Sequence, residues 1–317
     1  MATSGSIDHN RTRDEIITAA YRHCGAIALG EAPSSNETNT AATALENMIK
    51  AWQAEGTHLW KVEECTLFLT VGTEKYTLGT DRATKASDTV VTKLGGDEAT
   101  AQTVLTVDSS TGMAASDIVG IVLDSGSVDW TTISSVDSST QITVASGLTG
   151  AAAEDSIVYT YTTRLGRPLR ITSARRRDWT GSNPTDTPFA NMYSHSEYFD
   201  LPNKKDQGVP ISGYYDPRLS AGDLYIWNAP NTSNDTVQFT AHLAIDDFDT
   251  ASTNPDFPAE WLEALEWNLA VRLASDVGTP PSERTWIKSQ AAESKYLVAQ
   301  WDSEPVSLFF QPAIGIG

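Results

Sequence analysis

Residues 258–278 read PAEWLEALEWNLAVRLASDVG, and this stretch decides the fold class. Its large apolar side chains recur at the spacing of one helix face: Trp261, Leu262, Leu265, Leu269 and Leu273. A periodicity of this kind predicts an amphipathic helix. Pro258 suits the first helical position, and Gly278 suits the residue just after a helix end. A helix with so wide an apolar face needs partners, and the search for them leads to both ends of the chain.

Both ends of the chain are predicted to carry a pair of helices. Thr12-Arg13-Asp14-Glu15 is a capping box that starts the first helix. The second helix has an apolar stripe and Gly56 as its expected C′ residue: Ala41, Leu45, Met48, Ile49 and Trp52. The last helix follows Pro280-Pro281 with a stripe of its own: Trp286, Ile287, Ala291, Tyr296 and Leu297. Because each stripe must be buried, we predict one four-helix bundle built from the two pairs.

Between the helix pairs the apolar period changes to two, which indicates strands. Residues 66–72 and 75–78 are predicted to form a hairpin, and further short strands are expected at 169–171, 224–227 and 237–240. From 84 to 163 the composition shifts to 27 Ser or Thr, ten Asp or Glu, two Lys and no Arg. Five short strands separated by turn-rich pieces predict a small all-β barrel or sandwich there: 104–107, 118–123, 131–133, 141–144 and 157–161.

The predicted fold class is therefore α+β, a four-helix bundle with a central β region and an inserted β module. We expect residues 1–83 and 164–317 to form the core, residues 84–163 the insertion, and residues 302–317 an extended C-terminal arm. The arm is expected because Pro305 ends the last helix and an uncharged, apolar stretch follows it.

The charge balance excludes several partners. The 317 residues hold 22 Lys and Arg against 41 Asp and Glu, a net charge of −19. A protein that grips DNA needs clustered cations to neutralise phosphates, and an anionic membrane would repel this chain. No stretch is long and apolar enough for a transmembrane helix, and the N-terminus lacks the apolar region of a secretory signal. Two cysteines, Cys24 and Cys65, are too few for a disulfide framework, which suggests a reducing cytoplasm.

Motifs for catalysis or cofactors are weak or missing, so we expect no cofactor, no metal and no enzyme activity. There is no P-loop, no dinucleotide fingerprint and no Cys-x-x-Cys. Asp246–Asp249 has carboxylates that suit Ca²⁺ but lacks the glycine and the distal glutamate of an EF-hand, so a solvated turn is the better interpretation. Ser194-His195-Ser196 lies outside any nucleophile elbow.

The spacing of Glu15 and Cys24 resembles that of two catalytic residues in phage-type lysozymes. The third position of that motif would fall at Gly30, where a threonine is expected, and the second is usually aspartate. Glu15 is more simply the third helical residue of the capping box.

The Arg175-Arg176-Arg177 run is the only concentrated positive charge. On a strand, Arg175 and Arg177 share one face and Arg176 points to the other. Two interpretations stay open: pairing with this chain's own carboxylates, or a contact with a neighbouring subunit or with the lumen of a channel.

Three ordered groups of residues together carry a resemblance to a known family. The first group is DEII at 14–17 with LENMIKAWQAEGTHLW at 45–60. The middle group is RPLRI at 167–171, GVPISGYYDP at 208–217 and LYIWNAP at 224–230. The last is DFPAEW at 256–261 with ALEWNLA at 264–270. In this order, the groups resemble the head-to-tail adaptor proteins of short-tailed bacteriophages, the tail accessory factors related in role to tail tubular protein A. The resemblance covers nearly all of the chain outside the insertion.

The resemblance implies a virion structural protein, assembled in the host cytoplasm, that forms a ring of twelve copies under the portal. Such a ring docks the tail nozzle or tail tube protein below, retains packaged DNA and lets double-stranded DNA pass without specific binding. An acidic wall agrees with that role, since it repels a polyanion. The resemblance also favours portal docking by the C-terminal arm, through Leu308, Phe309, Phe310, Ile314 and Ile316; the alternative is that this segment packs back on its own helices.

Two other functions remain as alternatives. The insertion could be a carbohydrate- or receptor-binding module of a tail, with Trp130, Tyr159 and Tyr161 as its few aromatic residues. The Glu15 and Cys24 spacing could instead mark a cell-wall muramidase, which loss of peptidoglycan turbidity and a Glu15→Gln change would reveal.

Overall fold

The computed structural model describes residues 5–6, 8–56 and 59–302. The chain folds as two compact units. The helical unit contains the residues up to Lys61 together with those from Ile245 onward, and the β unit is Val62–Ala244. The helices are α1 (Arg13–His23), α2 (Ser35–Glu55), α3 (His195–Asp200), α4 (Leu262–Leu273) and α5 (Pro281–Trp301). None of the helices in the described ranges is long and apolar enough to cross a bilayer.

The ends of the helices follow local sequence signals. The Thr12 amide donates to the Glu15 carboxylate at 2.8 Å, and the Thr12 hydroxyl accepts from the Glu15 amide, so the predicted capping box is confirmed. Ser34 and Glu37 start α2 in the same way. Three predictions about helix ends are wrong. Gly56 caps α2 in an extended conformation, and Pro258 precedes a 3-10 turn, Ala259–Trp261, so that α4 starts at Leu262. Helix α4 ends at Leu273, so Gly278 is not the residue just after its end.

Helix α4 is the centre of the helical unit, and it packs against α1, α2 and α5. Its apolar residues and those of α1 and α2 form one buried cluster, to which α5 adds only Ile287 among its fully buried side chains. The predicted four-helix bundle is not confirmed. Three residues of the α5 stripe are exposed, Trp286 at 54%, Tyr296 at 64% and Leu297 at 55%, although Trp286 still packs edge-on against Trp267 of α4 with ring centroids 5.2 Å apart.

The β unit contains seventeen strands in the described residues: β1 (Val62–Phe68), β2 (Lys75–Leu78), β3 (Ala83–Lys85), β4 (Val90–Lys93), β5 (Val104–Thr106), β6 (Ile118–Val122), β7 (Val128–Ser138), β8 (Gln141–Val144), β9 (Ile157–Tyr161), β10 (Arg170–Asp178), β11 (Thr185–Pro188), β12 (Asn191–Met192), β13 (Gln207–Gly208), β14 (Ser212–Pro217), β15 (Gly222–Trp227), β16 (Ala229–Pro230) and β17 (Asp235–His242). They form sheets of five, four, six and two strands.

A two-layer sandwich is the core of the β unit. The five-stranded sheet has the order β11-β10-β17-β1-β3, and the four-stranded sheet has the order β12-β14-β15-β2. Cys65, Leu67 and Phe239 from the first sheet and Leu78 and Leu224 from the second share one buried cluster. The predicted hairpin of 66–72 with 75–78 is therefore wrong. Both edges of β1 are occupied by β17 and β3, and β2 crosses to the other sheet to pair with β15.

The six-stranded sheet, β4-β9-β6-β7-β8-β5, lies entirely within the predicted insertion. Its two edges approach each other after β4 and β5, where Leu94 bridges Val107 and the Gly95 amide donates to the carbonyl of Thr106 at 3.0 Å. The sheet thus curls around its own cluster of buried aliphatic residues. The two ends of the insertion also meet, because the Thr84 hydroxyl donates to the carbonyl of Thr163 at 2.6 Å.

Strand β9 explains how the insertion is attached. All five of its residues are buried. Val158 faces the cluster inside the curled sheet, whereas Tyr159 and Tyr161 pack on Phe68 of β1 with ring centroids 5.0 and 5.3 Å away. The Tyr159 hydroxyl also donates to the carbonyl of Ser233 at 2.8 Å. The two faces of β9 therefore serve two different cores.

We predict that the helical unit and the sandwich fold without the insertion. Replacing residues 86–161 by a short Gly/Ser linker should leave a protein that melts cooperatively with unchanged helix content by circular dichroism. The reason is that neither of their buried clusters contains a residue of that range.

The deletion uncovers Phe68, so the same deletion with Phe68→Ser serves as the matched variant. Loss of the cooperative transition in both proteins would show that the insertion is an integral part of the core.

Candidate functional site

The three predicted arginines lie on β10, and their side chains alternate between its two faces as expected for a strand. On one face, the Arg177 guanidinium donates two hydrogen bonds to Asp186 at 2.6 and 2.7 Å. Arg175 donates to the same carboxylate at 3.0 Å and lies 2.8 Å from Glu64. The hydrogen bond from Arg177 and its positive charge hold the pKa of Asp186 below its usual value. The ion pairs on this face are partly exposed, with between 27% and 41% of each side chain accessible.

Arg176 lies on the other face and pairs with a buried carboxylate. Its guanidinium donates to Asp235 at 3.0 Å, and only 2% of the Asp235 side chain is exposed. Burial raises the pKa of Asp235 above its ordinary value of 3.8, and the charge of Arg176 opposes that shift without cancelling it. A charge in so dry a position requires its partner.

Each of the three arginines thus has a carboxylate partner within the chain. A contact of these residues with another subunit or with a channel lumen stays a prediction. An acidic partner would compete with Asp186 and Glu64 for Arg175 and Arg177, and with Asp235 for Arg176.

The other predicted contact residues are Leu308, Phe309, Phe310, Ile314 and Ile316. They lie outside the described residues, as does all of the predicted arm after Asp302. The last described residue of the chain nevertheless lies at a distinctive place on the helical unit.

That place is an apolar groove of about 610 Å³, which we call the terminal groove. It is lined by Trp60, Pro258, Glu260, Trp261, Leu297, Val298 and Asp302. Its volume falls within the roughly 300–1,000 Å³ range of sites that bury small ligands. This groove was not predictable from the sequence, because its walls come from segments almost 240 positions apart.

The aromatic wall of the terminal groove is held in place from both sides. Trp60 and Trp261 have ring centroids 5.2 Å apart, and the Trp60 indole N–H donates to the carbonyl of Asp256 at 3.1 Å. Lys61 binds the Asp256 carboxylate at 2.5 Å. Trp52 of α2 packs behind Trp261 at 5.7 Å. These contacts fix the rings, so the wall is formed before any ligand binds.

The opposite wall belongs to α5, which contributes Leu297 and Val298. Trp286 and Leu297 are eleven residues apart, which is three helical turns, so they lie on the same side. On the opposite side of α5, Lys295 binds Glu55 at 2.5 Å and lies 4.7 Å from the Trp52 ring, anchoring α5 to α2. The spacing of eleven residues is visible in the sequence and indicates that Trp286 and Leu297 share a face of the helix.

The described residues do not assemble the catalytic groups that the sequence suggested. Glu15 is exposed and caps α1, and its hydrogen bonds to Thr12 lower its pKa, the opposite of what a general acid needs. Burial raises the pKa of Cys24 to about 11 and that of Cys65 to about 12, so both are protonated thiols at neutral pH. The muramidase interpretation therefore has no support in the geometry.

The remaining polar candidates have structural contacts. Ser194 caps α3, and the His195 ring lies on Phe199 with centroids 4.5 Å apart. Asp247 pairs with Lys50 at 2.5 Å, and within the described residues no group of three His, Cys, Asp or Glu could hold a metal ion.

The aromatic residues proposed for carbohydrate binding are not on an open surface. Tyr159 and Tyr161 are 0% and 1% exposed, and Trp130 packs edge-on against Phe68 with ring centroids 5.4 Å apart. Sugar rings stack on exposed aromatic faces, so Tyr159 and Tyr161 are not available for stacking, whereas Trp130 is only partly buried. Binding of a receptor or carbohydrate by another surface of the insertion stays a prediction.

Comparisons with known proteins do not identify a family. No family model and no curated protein matches this chain. Among solved structures, VP17, a capsid protein of bacteriophage P23-77, aligns with 60% of this chain and 77% of its own length, at 12% identity and a TM-score of 0.12. A TM-score this low carries no argument about fold or function.

We predict that the two faces of the arginine run differ sharply in their effect on stability. Arg176→Met should lower the free energy of unfolding by about 3 kcal/mol, because it leaves the Asp235 carboxylate buried without its partner. Arg175→Met should cost less than about 1 kcal/mol, since its partners are half-exposed. Urea denaturation at pH 7 measures both.

The pH dependence provides an internal control. A carboxyl with a raised pKa destabilises the folded state only in its ionised form, so its penalty is absent below the ordinary value of 3.8 and grows as the pH rises past it. The loss caused by Arg176→Met should accordingly be smaller at pH 4 than at pH 7. Equal losses at both pH values would show that Asp235 does not carry the effect.

Proposed function

We propose that this chain is a structural protein of a bacteriophage virion, a head-to-tail adaptor that forms a ring between the portal and the tail nozzle. In this role the protein extends the DNA channel, retains packaged DNA and is located in the neck of the particle. The proposal rests on the sequence resemblance together with one structural observation, the apolar groove and helix face of the helical unit.

The terminal groove and the outward face of α5 support a role in assembly. Trp286, Tyr296 and Leu297 are each more than half exposed on one helix. Exposed aromatic and aliphatic residues beside an apolar groove, such as Tyr296 and Leu297 here, are typical of surfaces that bind another protein. An uncharged stretch of twelve residues, from Val306 to Gly317, follows the same helix. The helical unit thus combines a preformed groove with an apolar tail.

The charge of the chain supports the channel part of the proposal. At −19 per copy, a ring of this protein would surround DNA with negative charge. Like charges repel, so the duplex would slide past such a wall without binding to it. The strongest cluster of cations does not change this, because Arg175, Arg176 and Arg177 already pair with carboxylates.

The same charge predicts that the ring needs a template. Copies that each carry a net charge of −19 repel one another, and this repulsion acts over about 8 Å at physiological salt. The purified protein should therefore sediment as a monomer. Mixed with the portal protein of the same phage, it should form a ring visible by negative-stain electron microscopy.

Two variants separate the contributions of the chain. A protein truncated after Asp302 should not bind the portal, whereas the protein with residues 86–161 replaced by a linker should still bind it. A stable ring without portal at all salt concentrations, or portal binding that survives the truncation but not the replacement, would contradict the proposal.

A further inference from the structure

The terminal groove is placed where the described chain ends. Asp302 caps α5 and also lines the groove, together with Leu297 and Val298 from the last turns of the helix. Whatever follows Asp302 therefore starts at the groove itself. Fifteen residues follow, Ser303 to Gly317.

The chemistry of those fifteen residues matches the groove. Glu304 is their only charged side chain, and Val306, Leu308, Phe309 and Phe310 come within the next six positions. The groove has an aromatic wall formed by Trp60 and Trp261 and an aliphatic wall formed by Leu297 and Val298. Its carboxylates, Glu260 and Asp302, would repel an acidic segment but not an uncharged one. Aromatic and aliphatic side chains are what such walls bury best.

The length of the connection favours the segment of the same chain over that of a second copy. Val306 and Phe310 follow Asp302 by four and eight residues, which allows them to reach roughly 13–29 Å at full extension. A short tether of this kind gives an effective concentration in the millimolar range. A second copy would have to bring another charge of −19 close to the first.

We propose that, in the free protein, the terminal groove binds the Val306–Phe310 stretch of its own chain. Binding buries the apolar side chains of the stretch and of the groove together. A partner that binds this stretch must first displace it from the groove. This inference concerns the free chain and holds whether or not the partner is a portal.

Peptide binding tests the proposal without any partner protein. A fluorescently labelled peptide of residues 303–317 is titrated with the protein truncated after Asp302 and with the full chain, and its anisotropy is measured. The truncated protein should bind the peptide. The full chain should bind it at least about tenfold more weakly, because its own segment competes at millimolar effective concentration.

Two neighbouring residues of α5 provide the matched variants. Leu297 lines the groove and Tyr296 does not, and both are more than half exposed, so neither substitution should unfold the helix. In the truncated protein, Leu297→Asp should weaken peptide binding at least tenfold, and Tyr296→Asp should change it less than twofold. A peptide with Phe309→Ser and Phe310→Ser should bind at least tenfold more weakly than the original.

Each opposite result would overturn the proposal. Absence of binding to the truncated protein, or binding that ignores Leu297→Asp, would show that the groove is not the site. Equal binding to the full and truncated proteins would show that the segment does not occupy the groove in cis. A dimer of the full chain that becomes a monomer on truncation would assign the segment to a second copy.

Discussion

The burial of α4 is the constraint on which the helical unit depends. Leu262, Leu265, Leu269 and Leu273 are at most 3% exposed, and Ala264 and Ala270 on the flanks of the helix are fully buried. One neighbouring helix cannot cover so wide an apolar surface. The partners are α1 and α2 from the beginning of the chain and α5 from its end. The whole segment from Val62 to Ala244 therefore leaves the helical unit and returns to it, which gives that segment freedom to form a unit of its own.

The same constraint determines which surfaces are left for partners. Because α5 buries only part of its surface, Tyr296 and Leu297 near its end remain exposed, and the terminal groove forms beside Leu297. The β unit differs, since it uses its largest aromatic residues internally. Phe68, Tyr159 and Tyr161 join the curled sheet to the sandwich. The pair of Arg176 and Asp235 links the neighbouring strands β10 and β17 of the sandwich. These contacts favour the helical unit as the part of the protein that binds other proteins.

Local patterns predicted much of the fold, and non-local choices account for the errors. The Thr12 and Glu15 capping box and the strands at Gln141–Val144 and Ile157–Tyr161 depend on nearby residues and were predicted at their observed positions. The hairpin prediction failed because two consecutive strands can either pair with each other or join different sheets, and their sequences do not distinguish these two arrangements. The prediction that the whole α5 stripe is buried went too far, since apolar residues at helical spacing do not reveal how much of a helix face a partner covers. The alternation of the three arginine side chains between the faces of a strand was predictable. The pairing of Arg176 with Asp235 was not, because fifty-nine positions separate the two residues.

Hydrogen exchange measured by mass spectrometry, with and without the portal protein, tests most directly the claim that the helical unit carries the assembly surface. Portal binding should slow exchange most in peptides from α5 and the residues after it, and least in the six-stranded sheet of β4 to β9. Slowed exchange confined to that sheet, with α5 unchanged, would contradict this claim and assign the assembly surface to the insertion.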